Sequence, residues 1–210
     1  MFWHVMHRAS LCPQVQSVVL ATDDERILNA AQELAMPALM TSPYHASGTD
    51  RVLEAARKLQ AGPDSVILNV QGDEPALNPE MLSELILPFR DPATQVTTLG
   101  HPISAEEALH PDRVKIVRAA SGLALYFSRA PVPYGRDDQP NFLGHIGIYG
   151  LRMRVLEKFN ALGESPLERL EKLEQLRLLE AGVPVHVVTT RHKSHGVDRP
   201  EDLETVIALM

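Results

Sequence analysis

The sequence predicts an α/β fold in which a central mixed, mostly parallel sheet is covered by helices on both faces. Three observations lead to this prediction. Short β-branched runs alternate with helical patterns along the first part of the chain. The apolar runs are nearly continuous, which is typical of strands buried on both faces. Short strands separated by Pro- and Gly-containing turns follow in the middle of the chain, and they indicate antiparallel additions to the sheet.

The first half of the chain alternates strands with helices. We expect strands at residues 16–22 and 65–70 and helices at residues 25–35, 51–59 and 79–87. Thr22 and Glu25 have the spacing of a capping box, which predicts the start of the first of these helices.

The second half begins with strands and ends with two helices. Strands are expected at residues 96–100, 114–117, 123–128, 145–150 and 183–190, and a last helix at residues 200–209. The clearest helix covers residues 166–181, with Ser165 as N-cap, Pro166 first, Glu168 three residues after the cap and Gly182 just past the end. Its buried stripe would consist of Leu167, Leu170, Leu173 and Leu176.

The composition limits both the size and the class of the protein. The chain has 210 residues, of which 44% are hydrophobic and 22% charged, and this suits one domain spanning residues 1–210. No apolar run approaches the roughly 20 residues that a membrane-spanning helix needs. The start MFWHVMHRAS does not resemble a cleaved secretory signal. We therefore expect a cytoplasmic protein with no membrane partner.

The charge balance excludes some partners and metal sites. Because 20 Lys+Arg face 27 Asp+Glu and no basic cluster with interleaved aromatics occurs, a nucleic-acid partner is disfavoured. The single cysteine, Cys12, permits neither an internal disulfide nor a Cys-based zinc site. Anions would have to be held locally, by a few Arg or Lys groups, helix N-termini or a divalent metal.

Two acidic turns are candidates for a metal site. In NVQGDEP, Gln71, Asp73 and Glu74 come directly after a buried strand, where ligands bind in open α/β sheets. In HGVDRPED, Asp198 also follows a strand and a glycine. Hard oxygen ligands from two separate turns suit Mg²⁺. Either aspartate could instead cap a turn or a helix, and the residues alone leave both interpretations open.

Two further segments could bind ligands. HASGTDR, residues 45–51, is a polar loop that opens directly into a helix, so its N–H groups and the helix dipole would face a ligand, although Ser47 and Asp50 also have capping-box spacing. In HIGIYG the period of two places His145, Gly147 and Tyr149 on one strand face. The alternative for the histidine is a satisfied core group. No GxGxxG follows a strand and no GxxxxGK[ST] occurs.

Arg129, in FSRAPVP, ends another predicted strand. Its guanidinium fork suits a carboxylate, and an internal salt bridge is the alternative.

Taken together, the motifs HASGTDR, ILNVQGDEP, ALYFSRAPVP, HIGIYG, SPLERLEKLEQLR and GVDRPEDLE resemble those of the 3-deoxy-manno-octulosonate cytidylyltransferase (CMP-Kdo synthetase) family. The resemblance runs from Met1 to the C-terminus. It implies a three-layer, Rossmann-like nucleotidyltransferase fold, a homodimer, and a reaction that couples CTP to the acid sugar Kdo to give CMP-Kdo and pyrophosphate for lipopolysaccharide biosynthesis.

The resemblance also assigns residue roles. It implies that Asp73 and Asp198 are catalytic and hold Mg²⁺. It implies a nucleotide-binding set made of Ser47, Gly48, Thr49, Asp50, Arg51 and Gln71. Arg129 would bind the sugar carboxylate, and the sugar hydroxyls would be bound by His145, Tyr149, Glu174 and Gln175.

The sequence departs from the family pattern in three places. The family begins with a strand and a loop of the type IPARxxSxRxPGKPL, and this sequence starts just after that point, so we expect the first strand and the phosphate loop to be missing. Gly144 replaces a common Arg, and Tyr134-Gly135 replaces Trp-Asp. These changes leave open a related sugar such as 8-amino-Kdo, or a truncated, non-catalytic binding protein. A metal-dependent glycosyltransferase that uses Asp73 with Glu74 is a further alternative.

Overall fold

Helices and strands alternate through most of the computed structural model, which describes residues 1–45, 47–193, 196–197 and 202–209. The helices are α1 (Phe2–Ser10), α2 (Glu25–Glu33), α3 (Gly48–Lys58), α4 (Pro79–Ile86), α5 (Ala105–Ala108), α6 (Met153–Leu162), α7 (Pro166–Glu171), α8 (Gln175–Glu180) and α9 (Asp202–Leu209), with a 3-10 turn at Leu87–Arg90. The strands are β1 (Leu20–Thr22), β2 (Ala38–Met40), β3 (Val66–Asn69), β4 (Val96–Ile103), β5 (Lys115–Arg118), β6 (Ala124–Ser128), β7 (Phe142–Arg152) and β8 (Val185–Thr189).

The long strand β7 organises the main sheet, whose order is β6-β5-β7-β4-β8. β4 runs along one side of β7, while β5 and β3 pair with its two ends on the other side. The predicted mixed sheet is confirmed. Parallel pairing occurs at β4–β8 and β1–β2, whereas every pairing of β7 is antiparallel, so parallel pairs contribute less than we expected.

Helices cover both faces of this sheet, as predicted. Ile146 and Ile148 of β7 pack into a cluster with residues of α1 and α4. Leu151 faces the opposite cluster, which is built from α3, α6 and α8. The sheet therefore forms the middle of three layers, because alternate residues of β7 enter different cores.

β1 and β2 form a separate two-stranded sheet. α3 contacts both β1 and β3. Within the described residues, β1 pairs only with β2 and β3 pairs only with β7, so each has one edge that no strand covers.

The hairpin of β5 and β6 curls towards β8 at the far edge of the main sheet. Leu123 forms an isolated antiparallel bridge with His186. The Val187 amide donates to the Gly122 carbonyl at 2.9 Å, and the Val187 carbonyl accepts from Arg118 Nη1 at 3.5 Å. Hydrogen bonds therefore connect the β5–β6 hairpin, at one end of the sheet, to β8, the strand at the other end.

Two local predictions are wrong. α2 is capped by Asp24, which accepts from the Arg26 amide at 2.8 Å, while Thr22 accepts from the Asp24 amide. The expected single helix at residues 166–181 is two helices, because Lys172 takes a left-handed conformation with φ 54° between α7 and α8. Leu170 is consequently 80% exposed instead of buried.

Other boundary signals of that region are confirmed. Ser165 and Glu168 form the predicted reciprocal capping box, and Gly182 ends the region with φ 69°. The helices α1, α5 and α6 and the strand β2 were not predicted. None of the helices in the described residues is long and apolar enough to cross a bilayer.

Candidate functional site

A cavity of about 440 Å³ lies between the exposed face of β7, the start of α3 and the α7–α8 turn. We call it the central cavity. Its walls include seven of the residues singled out from the sequence, namely Thr49, Gln71, Arg129, His145, Tyr149, Glu174 and Gln175. These residues come from five separate segments of the chain, so the fold has assembled one polar site from distant motifs.

The β7 face of the cavity has the predicted alternation. His145, Gly147 and Tyr149 line the cavity, while Ile146 and Ile148 are buried on the other side. A Cβ atom built on Gly147 would meet no heavy atom within 4 Å. The strand therefore leaves open space between two polar side chains, which a ligand can occupy.

His145 is held as a neutral imidazole. Its Nε2 lies 3.0 Å from Thr98 Oγ1, and its ring packs against Phe127 and Tyr149 with centroids 5.2 and 5.4 Å away. Burial lowers the pKa of His145 to about 3. Because the ring is uncharged near neutral pH, it can exchange hydrogen bonds with hydroxyl groups without attracting or repelling charge.

Two polar atoms in the cavity wall have no hydrogen-bond partner in the described part of the chain. The hydroxyl oxygen of Tyr149 and the amide Nε2 of Gln175 are both buried, and neither has a hydrogen bond among the described residues. Burial and the nearby Glu174 raise the pKa of Tyr149 well above its usual value, so the phenol stays protonated. An unpaired buried polar atom is costly, and a polar ligand would satisfy both.

The break between α7 and α8 shapes the opposite wall. The left-handed residue Lys172 redirects the chain, and residues 172–175 line the cavity. Glu174 accepts a hydrogen bond from Thr49 Oγ1 at 2.8 Å. The first turn of α3 is thereby tied directly to this wall.

The loop predicted to bind a nucleotide divides into two parts. Ser47 caps α3 by accepting from the Asp50 amide at 3.1 Å, and the Cβ position of Gly48 lies 3.6 Å from Gln71 Nε2. Thr49 lines the central cavity, and Gly48 lies against the cavity residue Gln71, while Ser47 has the capping role.

Asp50 and Arg51 make contacts within the fold instead. Asp50 is 9% exposed and accepts from Asn160 Nδ2 at 3.0 Å. Arg51 donates to Thr41 Oγ1 at 2.7 Å and pairs with Asp23 at 2.8 Å. Neither side chain is part of the cavity wall.

A smaller pocket of about 180 Å³ adjoins the central cavity, and Gln71, His145 and Gly147 form the shared wall. Its other lining residues are Asp73, Glu74, His101, Arg113, Ile146 and Gly196. We call it the acidic pocket, because Asp73 and Glu74 lie in it.

The second predicted metal ligand, Asp198, lies outside the described residues. The residue before it, Val197, donates its amide to the Asp73 carbonyl at 2.9 Å. Within the described ranges, no group of three or more His, Cys, Asp or Glu side chains is arranged to hold a metal ion. The pairing of Asp73 with Asp198 stays a prediction.

Comparison with known proteins decides the family. Residues 1–193 match the model of a family described as cytidylyltransferase. The 3-deoxy-manno-octulosonate cytidylyltransferase of Oleidesulfovibrio alaskensis is 57% identical, over all of this chain and 86% of that protein. The protein of the same name from Lawsonia intracellularis is 52% identical, over all of this chain and 84% of that protein. The chain belongs to the 3-deoxy-manno-octulosonate cytidylyltransferase family.

A solved structure confirms the fold expected of a cytidylyltransferase. CMP:2-keto-3-deoxy-manno-octonic acid synthetase, complexed with CTP, is 43% identical with a TM-score of 0.94, and the match covers all of this chain and 86% of that one. A putative glucose-1-phosphate thymidylyltransferase from Bacillus anthracis has a TM-score of 0.67 at 13% identity, which shows a common fold alone. The predicted Rossmann-like nucleotidyltransferase fold is confirmed.

Several cavity residues of this cytidylyltransferase were missed in the sequence. Asn69 lines the central cavity two residues before Gln71, and extending the period of two from the end of β3 could have placed both on one face. His101 and Arg113 line the acidic pocket. They lie in segments with no recognisable motif, so no local signal could have found them.

Proposed function

We propose that this protein transfers the cytidylyl group of CTP to Kdo, giving CMP-Kdo and releasing pyrophosphate. The central cavity carries this proposal, because its wall combines Arg129 and Lys172 with many hydrogen-bonding side chains, and it adjoins an acidic pocket. A sugar acid presents the matching chemistry, with one carboxylate and many hydroxyls. The family relatives support the same substrates.

The sugar would be bound by the groups that line the cavity. Arg129 suits the carboxylate, since a guanidinium can hold it with two parallel hydrogen bonds. The Tyr149 hydroxyl and Gln175 Nε2, which lack partners in the described protein, are suited to sugar hydroxyls. The remaining groups proposed to bind sugar hydroxyls are His145, which is neutral, and Glu174, which is hydrogen-bonded to Thr49.

The nucleotide would lie at the start of α3, beside the sugar. Ser47, Gly48 and Thr49 surround the positive end of that helix, and Gln71 stands between the helix and the acidic pocket. Asp50 and Arg51 would support the loop through their contacts with Asn160 and Thr41.

We propose that Asp73 and Asp198 hold Mg²⁺. The acidic pocket fits such an ion, because its carboxylates are hard oxygen donors and Val197, next to Asp198 in sequence, is hydrogen-bonded to Asp73. When bound, Mg²⁺ neutralises charge on the phosphate oxygens.

Catalysis would rest on positioning and electrostatics. The anomeric hydroxyl of Kdo attacks the α-phosphorus in line with the departing pyrophosphate, and no covalent enzyme intermediate is needed. The shared wall of Gln71, His145 and Gly147 lies between the two cavities. It would hold the attacking hydroxyl next to the α-phosphate.

Pyrophosphate release from CTP and Kdo in the presence of Mg²⁺ tests the proposal. We expect release that needs both substrates and is lost when EDTA is added. Parallel assays with 8-amino-Kdo compare kcat/KM and reveal whether a related acid sugar is preferred. Folded protein that releases no pyrophosphate with either sugar would contradict the proposed activity.

Calorimetry separates the remaining alternatives. A non-catalytic binding protein would bind the sugar acid without turnover, and a glycosyltransferase would transfer sugar from a sugar nucleotide.

We further propose that the enzyme acts in the cytoplasm as a homodimer and supplies activated Kdo for lipopolysaccharide. Light scattering that gives twice the 23.2 kDa chain mass would support the dimer.

A further inference from the structure

Lys115 is a fully buried lysine, with 0% of its surface exposed, outside the wall of the central cavity. Its Nζ donates to the carbonyl of Arg129 at 2.6 Å and to the carbonyl of His110 at 3.1 Å. Burial lowers the pKa of this ammonium group, while the nearby Glu171 carboxylate opposes that shift. Since an apolar side chain could fill this space without burying a charge, packing alone does not explain a lysine here.

Glu171 holds the same arginine from the other side. Its Oε2 accepts from the Arg129 amide at 2.9 Å, and its Oε1 accepts from Ser128 Oγ at 2.6 Å. Its backbone carbonyl accepts from Arg129 Nε at 2.8 Å. Glu171 is the last residue of α7, directly before the left-handed Lys172.

The Arg129 residue is therefore fixed at four points. Its amide is bound by Glu171 and its carbonyl by Lys115, while Nε and Nη1 donate to the carbonyls of Glu171 and Pro111. Nη2 makes no hydrogen bond within the described part of the chain, and the side chain lines the central cavity. One edge of a rigidly held guanidinium is thus left for a ligand.

We propose that Lys115 and Glu171 are positioning residues, which fix Arg129 so that the free edge of its guanidinium meets the carboxylate of the acid sugar. This inference rests on the proposed function. A cation that is already immobile loses little conformational entropy when the carboxylate binds. The two residues would therefore set the affinity for the sugar acid without touching it.

Steady-state kinetics of Lys115→Met and Glu171→Gln test the inference. We expect KM for Kdo to rise about tenfold or more, while KM for CTP changes less than about twofold. The matched control is Glu168→Gln, which removes a buried carboxylate from the same helix. Glu168 pairs with Arg177 at 2.6 Å and makes no contact with Arg129. An equal rise of both KM values, or the same selective rise in Glu168→Gln, would overturn the inference.

A double-mutant cycle shows whether Lys115 acts through Arg129. In an Arg129→Ala background, Lys115→Met should raise KM for Kdo no further than about twofold. Multiplied effects of the two substitutions would refute the mechanism. If Lys115→Met does not fold, Glu171→Gln is combined with Arg129→Ala in the same cycle.

Arginine side-chain NMR provides a readout that needs no turnover. The Arg129 Nε–Hε signal, assigned by its loss in Arg129→Lys, should exchange slowly with solvent in the wild type. It should exchange faster in Glu171→Gln, because the weakened bonds from side chain 171 to Ser128 and the Arg129 amide no longer fix the residue-171 carbonyl that Nε donates to. Slow exchange in a protein without CTP and Kdo turnover would leave the positioning role standing and contradict the proposed function. Fast exchange in the wild type would contradict the positioning role itself.

Discussion

His145 combines a central place in the cavity with a strongly lowered pKa. Burial shifts this pKa from 6.5 to about 3, so the folded protein binds this proton less readily than the unfolded chain. Between pH 6.5 and about pH 3, unfolding is therefore accompanied by uptake of a proton at His145. The free energy of unfolding is not reduced by this group above pH 6.5, and it declines as the pH falls below that value. At pH 5 the resulting decrease in the free energy of unfolding is at most about 2 kcal/mol.

Replacing this histidine should reduce the acid sensitivity of the fold. We expect the melting temperature of His145→Gln to fall less between pH 7.5 and pH 5 than that of the wild type, because glutamine does not titrate and can still contact Thr98. Thermal unfolding followed by circular dichroism at several pH values measures this. The control is His110→Gln, which replaces an exposed histidine. If the melting temperature of His145→Gln depends on pH as that of the wild type does, the lowered pKa of His145 is contradicted.

Asp73→Asn should abolish turnover while leaving the melting temperature within a few degrees, because the amide keeps the shape of the carboxylate but removes the charge that would hold Mg²⁺. We expect the same of Asp198→Asn. Pyrophosphate release and thermal unfolding are measured together, with Asp64→Asn as a surface control. A wild-type rate in either variant would refute the metal assignment.

Adjacent residues of one motif can lie in different places in the fold, as the start of α3 shows. The resemblance assigns the whole segment 47–51 to the nucleotide, yet Thr49 alone of these residues lines the cavity, while Asp50 and Arg51 bind Asn160, Thr41 and Asp23. Consecutive residues of a helix point in different directions, so a motif that enters a helix cannot place all its side chains in one site.

The turn between α7 and α8 shapes one wall of the central cavity. The sequence predicted one helix across it, because capping residues at both ends and regular leucines suggested continuity. The break at Lys172 could not be predicted, since no glycine marks the residue that takes φ 54°. Long-range contacts such as that between Thr49 and Glu174 stabilise this turn instead.

Lys172→Gly should stabilise the fold by up to about 1 kcal/mol, because glycine adopts a positive φ without the steric cost that Lys172 bears. The matched control is Lys158→Gly, in the middle of α6, which should destabilise the fold by about 1 kcal/mol. Urea unfolding measures both. Equal destabilisation by the two substitutions would show that the conformation of Lys172 carries no cost.

The two sheets differ in how extensively the rest of the fold contacts them. β7 has strands on both sides and a hydrophobic cluster on each face, whereas β1 and β2 pair only with each other in the described structure. The alternation of strands and helices, which follows from local pattern, was therefore predictable. The division into two sheets was not, because strand partners are set by long-range contacts that no local pattern records.

Hydrogen exchange should separate these two sheets. We expect amides of β1 and β2 to exchange at least about 100-fold faster than those of residues 146–150, since few buried contacts oppose local opening there. Mass spectrometry of peptic peptides or NMR provides the rates. Equal protection in both sheets would contradict the expectation.

The link between the β5–β6 hairpin and β8 also bears on solubility at high concentration. An open strand edge can recruit a strand from another molecule and so start aggregation. At Val187 both the amide and the carbonyl are already engaged, by Gly122 and Arg118. A strand from another molecule would have to displace these hydrogen bonds before it could pair with β8. The contacts at Val187 therefore disfavour aggregation through the edge of this strand.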